Sequence, residues 1–258
     1  MSKINLKQGD CLKLMKKIPD KSIDMILADL PYGTTQCKWD TVIDFNKLWE
    51  QYNRIIKPNA AIVLFGTEPF TSQLVGSNLR GYREHLTWIK HRASNFANAK
   101  YMHMKYTEDI IVFGYHKPTF NRQMQPRTAS RVEEGQHSNS KQWNKPSEVS
   151  FATKYEGQSW RKYDPKLKNP TDYLKFPGVV SNSKERTKHP TQKPVKLLEY
   201  LIKTYTNKGE LVLDNTMGSG STGVAAVNLN RDFIGYELEQ DYFDIATDRI
   251  NKAIKDHE

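Results

Sequence analysis

Cysteine is scarce in this chain of 258 residues, because Cys11 and Cys37 are the only two that it contains. Two cysteines are too few for a disulfide framework or a cysteine-rich metal site, so we expect a reducing compartment and no metal. The sequence also lacks an apolar run of bilayer length, and its first residues lack the apolar core of a signal peptide. These absences predict a soluble, cytoplasmic protein without a membrane partner.

Acidic residues are in deficit, since 29 Asp and Glu face 39 Lys and Arg and give a net charge of +10. This excess of positive charge favours a polyanionic partner, although a protein with a merely basic surface would have the same charge. A phosphate-binding Gly-Lys-Ser/Thr loop is also missing from the sequence, which argues against a nucleoside triphosphatase.

The segment Asp29-Leu30-Pro31-Tyr32 is the first candidate site. It follows residues 22–28, a short apolar run typical of a buried strand, and ligands bind beyond the carboxyl ends of strands in parallel sheets. A carboxylate there accepts hydrogen bonds from an amine, proline stiffens the turn, and tyrosine offers a flat face for stacking. On these four residues alone, an ordinary turn after a strand explains the pattern equally well.

A glycine-rich turn near the end of the chain is the second candidate site. The strand-like run 210–213 ends in Asp214, a Gly-x-Gly-x-x-Gly pattern occupies 218–223, and the next predicted strand ends in Glu237. Such glycines let the backbone approach a ligand, and a carboxylate on the following strand suits ribose hydroxyls. The pattern therefore predicts an adenosine-containing cofactor, with a glycine-rich packing turn as the alternative.

The other predicted elements alternate between strands and helices, as in an α/β protein. Apolar periodicity predicts strands over 3–8, 22–28, 60–66, 85–90, 109–113, 210–214 and 232–237. It predicts helices over 11–17, 44–57, 69–79, 195–205, 224–229 and 240–254. The polar residues 92–106 are too many for a tight hairpin and predict a loop over the site.

Residues 115–188 have a different character, because they show no sustained helical or strand period. They hold 15 Lys or Arg against 7 Asp or Glu, together with nine aromatic residues and six of the twelve prolines. Basic residues neutralise phosphates and aromatic residues stack on bases, so this stretch favours nucleic acid. A flexible, solvated insertion is the alternative.

Three segments together resemble motifs of the DNA amino-methyltransferases. Asp29 to Tyr32 resembles their catalytic motif, residues 189–194 resemble the cofactor-entry motif, and residues 214–223 resemble the S-adenosylmethionine motif. The catalytic motif precedes the cofactor motif, with the basic stretch between them, which is similar to the β group that methylates adenine N6 or cytosine N4. Leu30 and Asn215 stand where the family usually has proline, but leucine keeps the main-chain carbonyl that the family uses.

The resemblance implies a Rossmann-like methyltransferase fold, an α/β domain with a seven-stranded, mostly parallel sheet and a circularly permuted motif order. Residues 1–114 would form the catalytic half, 115–188 a basic target-recognition insertion, and 189–258 the cofactor-binding half. Four strand-end acids would then meet at one crevice. These acids are Asp10, Asp29, Asp214 and Glu237.

The resemblance also assigns roles to individual residues. Asp29, Leu30, Pro31 and Tyr32 would be catalytic. S-adenosylmethionine would contact Asp10, Thr191, Lys193, Asp214, Gly218, Ser219, Gly220, Thr222 and Glu237. Among these contacts, Glu237 would hold the ribose, Asp10 would lie near the adenine, and Thr191 and Lys193 would face the methionine end.

The implied reaction is direct methyl transfer to an exocyclic amine of a base flipped out of double-stranded DNA. Asp29 would favour adenine N6, because serine is more usual at this position in cytosine-N4 enzymes. Cytosine N4, RNA, a protein glutamine and a non-catalytic nucleic-acid-binding protein are the alternatives. A homodimer and a cognate restriction endonuclease are further partners that the sequence leaves open.

Overall fold

The structure, a computed structural model, describes residues 2–34, 40–127 and 166–257. Cys37 and most of the basic stretch lie outside these residues. Contacts divide the chain into two compact units, of which the first comprises Met1–Asn121 and Asp172–Glu258 and the second Arg122–Thr171. Residues 172–188, which the sequence analysis assigns to the insertion, therefore pack within the first unit.

The described residues form ten strands and six α-helices. The strands are β1 (Ile4–Gln8), β2 (Ile23–Ala28), β3 (Ile56–Gly66), β4 (Tyr82–Ser94), β5 (Lys105–Phe113), β6 (Gln125–Pro126), β7 (Leu167–Lys168), β8 (Tyr173–Lys175), β9 (Leu211–Asp214) and β10 (Asp232–Glu237). The helices are α1 (Cys11–Met15), α2 (Phe45–Ile55), α3 (Phe70–Ser77), α4 (Val195–Tyr205), α5 (Ser221–Asn228) and α6 (Gln240–Lys255).

Eight of these strands form one sheet in the order β1-β10-β9-β2-β3-β5-β4-β8. Only β5 runs against the other seven, so the described sheet is mixed and mostly parallel. The strands β9 and β10, from the end of the chain, lie between β1 and β2, as the permuted motif order predicts. The short strands β6 and β7 pair with each other in the second unit.

The predicted number of seven strands is wrong, because β8 extends the sheet beyond β4. The Thr87 amide donates to the Asp172 carbonyl at 2.8 Å, and residues 173–175 continue this pairing along β4. The strand has three residues within a stretch that shows no period, so its sequence carries no pattern that would reveal it.

Two hydrophobic layers cover the two faces of the sheet. Ala61, Val63 and Phe65 of β3 pack with α4, α5 and α6, whereas Ile62 and Leu64 pack with α1, α2 and α3. This alternation follows from the two-residue period of a strand, and it gives the three layers of an α/β fold. No helix in the described part of the chain is long and apolar enough to cross a bilayer.

Several predicted boundaries differ from the structure, and two of these differences have a clear physical reason. The helix predicted over 44–57 ends at Ile55, because Ile56 already pairs with Ile23 at the start of β3. The loop predicted over 92–106 is shorter, because Ser94 and Lys105 pair as the last and first residues of β4 and β5. The remaining loop, residues 95–104, contains a short 3-10 helix over Phe96–Asn98.

Candidate active site

A cleft of about 750 Å³ lies at the carboxyl ends of the parallel strands. Twelve of the thirteen residues predicted from the sequence line it, and Gly220 is the exception. The four strand-end acids meet there as predicted, because the strands that carry them are neighbours in the sheet. These acids are Asp10, Asp29, Asp214 and Glu237.

Asp29 lies directly after β2, and both of its carboxylate oxygens have partners. The Tyr32 hydroxyl donates to Oδ1 at 2.5 Å, and the Lys193 ammonium donates to Oδ2 at 2.6 Å. The Asp29 carbonyl accepts a hydrogen bond from the Thr216 hydroxyl at 3.1 Å, which ties the catalytic motif to the glycine-rich turn. Burial raises the pKa of Asp29, and the charge and hydrogen bond of Lys193 only partly offset this effect.

Lys193 lies between two carboxylates rather than facing only the cofactor side of the cleft. Its ammonium lies 2.6 Å from Asp29 Oδ2 and 3.3 Å from Glu108 Oε2, and its side chain is only 9% exposed. Burial alone would lower the pKa of Lys193, but the two carboxylates outweigh burial and raise it. The ammonium therefore remains charged at neutral pH.

Glu108 on β5 is a half-buried acid that the sequence analysis missed. Its Oε1 accepts a hydrogen bond from Lys90 at 2.8 Å, so Asp29, Lys193, Glu108 and Lys90 form a row of alternating charges. Burial would raise the pKa of Glu108, but Lys193 and Lys90 outweigh it and hold that pKa below its ordinary value. A second ionised carboxylate thus lies within reach of the ammonium that binds Asp29.

The turn after Tyr32 is held by a buried acid that has no place in the predicted motifs. Asp40 accepts hydrogen bonds from the amides of Gly33 and Thr34, both at 2.9 Å. The Tyr32 ring packs on Phe70 with ring centroids 4.8 Å apart. These contacts fix the position of the tyrosine at the rim of the cleft.

The glycine-rich turn needs glycine for two different physical reasons. Gly218 and Gly220 have φ angles of +50° and +75°, a region that favours glycine, and a Cβ at Gly218 would lie 2.8 Å from His189 Nε2. Gly223 instead faces Ile250 and Phe233, with which a Cβ would collide. The first two glycines therefore shape the turn, and the third allows α5 to pack on its neighbours.

Glu237 ends β10 and accepts hydrogen bonds from three main-chain amides. Gly218 donates to Oε2 at 2.8 Å, while Leu238 and Glu239 donate to Oε1 at 2.8 and 2.9 Å. Burial raises the pKa of Glu237, and the three amides partly counter this rise. The carboxylate is therefore fixed at the edge of the glycine-rich turn, where a ligand with hydroxyl groups would meet it.

Asp214 is the most deeply enclosed of the four acids. Burial raises its pKa to about 7, although hydrogen bonds from the Thr222 side chain and the Thr216 amide lower it.

Two further residues of the cleft are held by their neighbours. Asp10 accepts a hydrogen bond from the Lys13 amide at 3.1 Å and caps α1. Ser219 is held by Arg249 of α6, which donates to its carbonyl at 2.5 Å. Arg249 was missed because its helix shows only an amphipathic pattern.

The remaining predicted residues lie around the same cleft. Leu30 is buried in the hydrophobic layer of α1, α2 and α3, Pro31 follows it at the cleft wall, and Thr191 is exposed at the rim. Burial raises the pKa of the Cys11 thiol, so this cysteine is protonated at neutral pH and has no sign of a nucleophile.

The shape of the turn fits an adenosine-containing cofactor. Gly218 leaves the backbone open to the cleft, and a Cβ there would fill space against His189. Glu237 supplies a fixed carboxylate beside this turn. Together these groups offer what a nucleoside with ribose hydroxyls requires.

Comparisons with known proteins agree with this geometry. A family model described as DNA methylase matches residues 23–248. The type II methyltransferase M2.MboI of Moraxella bovis is 28% identical over 96% of this chain and 88% of its own length. The solved M1.HpyAVI–SAM complex is 26% identical, covers 96% of this chain and 99% of that chain, and has a TM-score of 0.63.

A further solved structure shows likeness in fold alone. The cytosine-N4-specific PvuII DNA methyltransferase has a TM-score of 0.65 and 16% identity, with 99% of this chain and 94% of that chain covered. S-adenosylmethionine is the cofactor that the family match and the solved complex indicate. With the matched residues spanning most of its length, the chain belongs to the family of N6/N4 DNA methylases, which are S-adenosylmethionine-dependent DNA methyltransferases.

Proposed function

We propose that the protein methylates the N6 amine of adenine in double-stranded DNA. The observation that carries this proposal is the position of Asp29, which lies at the end of β2 between Tyr32 and the glycine-rich turn. Aspartate at the first position of the catalytic motif favours adenine over cytosine by resemblance to the family. The relatives described as type II methyltransferases support a role in restriction–modification.

The residues around the glycine-rich turn would hold S-adenosylmethionine. Glu237 would bind the ribose hydroxyls, Asp10 would lie near the adenine, and Thr191 would contact the methionine end. Asp214, Gly218, Ser219 and Thr222 would form the wall of the site, and Gly220 would shape the turn behind it. When bound, S-adenosylmethionine would supply an activated methyl group for direct transfer to the base amine.

Asp29 and Leu30 would orient the amine of the target base. The lone pair of an exocyclic amine is conjugated with the ring, so the amine is a poor nucleophile. A carboxylate and a main-chain carbonyl that accept its two hydrogens favour a pyramidal nitrogen and stabilise the positive charge that develops on it. Pro31 would stiffen this turn, and Tyr32 would stack on the flipped base.

We propose that Lys193 leaves Asp29 when the amine binds, because the Lys193 ammonium and the Tyr32 hydroxyl each occupy a position on one of the two carboxylate oxygens. Glu108 lies 3.3 Å from the same ammonium and is held in its ionised form by Lys193 and Lys90. We therefore assign Lys193 the role of occupying Asp29 until the base arrives. Glu108 is a positioning residue that retains the ammonium after the exchange.

The basic residues of 115–188 are proposed to bind the DNA and to recognise its target site. Their excess of positive charge and interleaved aromatic residues suit phosphates and bases. A cognate restriction endonuclease and a homodimer are proposed as further partners, and the cytoplasm as the compartment. Protein glutamine is a less favoured substrate, because the basic stretch suits a polyanion, and RNA is the alternative nucleic acid.

Transfer of a labelled methyl group from S-adenosylmethionine to plasmid DNA tests the activity. The DNA is then digested to nucleosides and separated by chromatography. We expect the label in N6-methyladenine; label in N4-methylcytosine would contradict the base assignment, and label in added RNA or protein alone would contradict the substrate. Sequencing of modified bases in an expressing cell then identifies the target site.

A further inference from the structure

We propose that the 95–104 loop, which joins β4 to β5, inserts Phe96 and Tyr101 into the DNA base stack where the flipped base leaves it. This inference rests on the proposed function and adds to it the group that replaces the extruded base. The loop belongs to the first unit and emerges from the wall of the cleft, because Ser94, Lys105 and Thr107 at its base line that cleft.

The apolar side chains of this loop are unusually exposed. Phe96 is 70% exposed and Tyr101 is 86% exposed, and Met102 and Tyr106 nearby are also more than half exposed. Large apolar side chains at this exposure cost solvation free energy unless a partner covers them. Their clustering beside the cleft indicates a partner that arrives together with the substrate.

The charge of the surrounding segment identifies that partner as DNA. Residues 90–107 contain four Lys or Arg, two His and no Asp or Glu. Arg92, Lys100 and Lys105 are exposed. Exposed cations in the same segment as exposed apolar side chains suit a duplex, because cations neutralise phosphates while apolar side chains enter between bases.

The backbone of the loop is not extended, because local hydrogen bonds hold it in a compact conformation. Asn95 has a φ of +71°, and the Asn98 side-chain amide donates to Asn95 Oδ1 at 2.8 Å. The Asn98 carbonyl accepts from the amides of Tyr101 and Met102 at 2.9 and 3.0 Å. These bonds fix a compact tip, which reduces the ordering that insertion would otherwise require.

Flipping a base leaves a gap and costs unstacking and unpairing energy. An aromatic side chain that fills this gap stacks on the bases left behind and lowers that cost. The benefit should disappear when the target base is already unpaired, which gives a test specific to this role.

The test uses the variant Phe96→Ala/Tyr101→Ala and duplex oligonucleotides that carry the mapped target site. One duplex has the target base normally paired, and in the other an abasic site faces it. We expect the variant to lose about tenfold or more in methyl transfer to the paired duplex and to regain near wild-type rates on the abasic duplex. Binding of S-adenosylmethionine, measured by calorimetry, should not change.

Leu79→Ala is the matched control, because Leu79 is also 70% exposed but precedes β4 at the opposite end of the strand. We expect wild-type rates from it on both duplexes. An equal loss by the double variant on both duplexes, or no loss on the paired one, would overturn the insertion. If the wild-type protein transfers no methyl group to either duplex, the proposed function fails instead.

Discussion

The Lys193 ammonium lies 2.6 Å from the Asp29 carboxylate, although 164 residues separate the two in the chain. The lysine comes from the segment that resembles a cofactor-entry motif, and the aspartate from the segment that resembles a catalytic motif. Under the proposed function, the substrate amine and this protein cation would compete for one carboxylate. This competition makes several of the proposed roles measurable.

Asp29→Asn should reduce methyl transfer by about 10²-fold or more, because an amide accepts hydrogen bonds less strongly than a carboxylate and cannot balance developing positive charge. S-adenosylmethionine should still bind, because Asp29 is assigned to the base and not to the cofactor. Single-turnover rates and calorimetry measure the two effects separately. A variant with near wild-type turnover would remove Asp29 from the reaction.

Lys193→Met should move the acidic limb of the pH–rate profile to higher pH. Burial already raises the pKa of Asp29, and Lys193 is the main group that opposes this rise. Without the ammonium the pKa rises further, so the carboxylate required for the reaction is lost at a higher pH as the pH falls. An acidic limb at the wild-type position would show that another group controls it.

Glu108→Gln should raise the KM for DNA or lower kcat by about tenfold, because the neutral amide holds the displaced ammonium less strongly than a carboxylate does. If Glu108 had a purely structural role, the loss of activity in Glu108→Gln would be the same with or without Lys193. The double variant Glu108→Gln/Lys193→Met tests this point, since the Glu108 substitution should then have almost no further effect. Additive losses in the double variant would refute the assigned role.

Glu237→Ala should weaken S-adenosylmethionine binding by about tenfold or more, since it removes a charged partner for the ribose hydroxyls. The carboxylate also holds the amides of Gly218, Leu238 and Glu239, so the variant loosens the turn as well. Glu237→Gln is the comparison variant, because its side-chain carbonyl can still accept a hydrogen bond from some of these amides. Calorimetry that finds unchanged affinity in both variants would exclude the ribose role.

Asp214→Asn should flatten the pH dependence of stability. The folded-state pKa of about 7 lies above the ordinary value of 3.8, so the folded protein binds more protons between these values. Its stabilising contribution is therefore present at low pH and is lost as the pH rises towards 7 and above. Urea unfolding at about pH 5 and about pH 8, without added cofactor, should show a larger difference for the wild-type protein than for the variant.

Much of the site could be predicted because its residues follow strands with clear apolar periods. Asp29 and Asp214 each end such a run, and the glycine pattern marks a turn whose positive φ angles at Gly218 and Gly220 favour glycine. The convergence of the acids then followed from the rule that ligands bind at the carboxyl ends of parallel strands.

Other contacts could not be predicted, because they depend on how distant segments meet. Glu108 lies within the ordinary strand pattern of β5, and nothing in its neighbourhood marks it as a partner of Lys193. Asp40 and Arg249 form hydrogen bonds with main-chain groups, and every residue carries such groups, so the sequence does not show which of them will be bound. The strand β8 is defined by its pairing with β4 and not by its own three residues.

The place of β9 in the sheet also determines when the sheet can form during synthesis. This strand lies between β10 and β2, and β1 pairs only with β10 within the described residues. The ribosome makes β1 and β2 first and makes β9 and β10, which lie between them in the sheet, last, so the nascent chain carries open strand edges while most of it is translated. Such edges favour aggregation until they are paired. If translation stops before β9, the chain therefore lacks the strand that pairs with β1 and the strand that pairs with the β9-facing edge of β2.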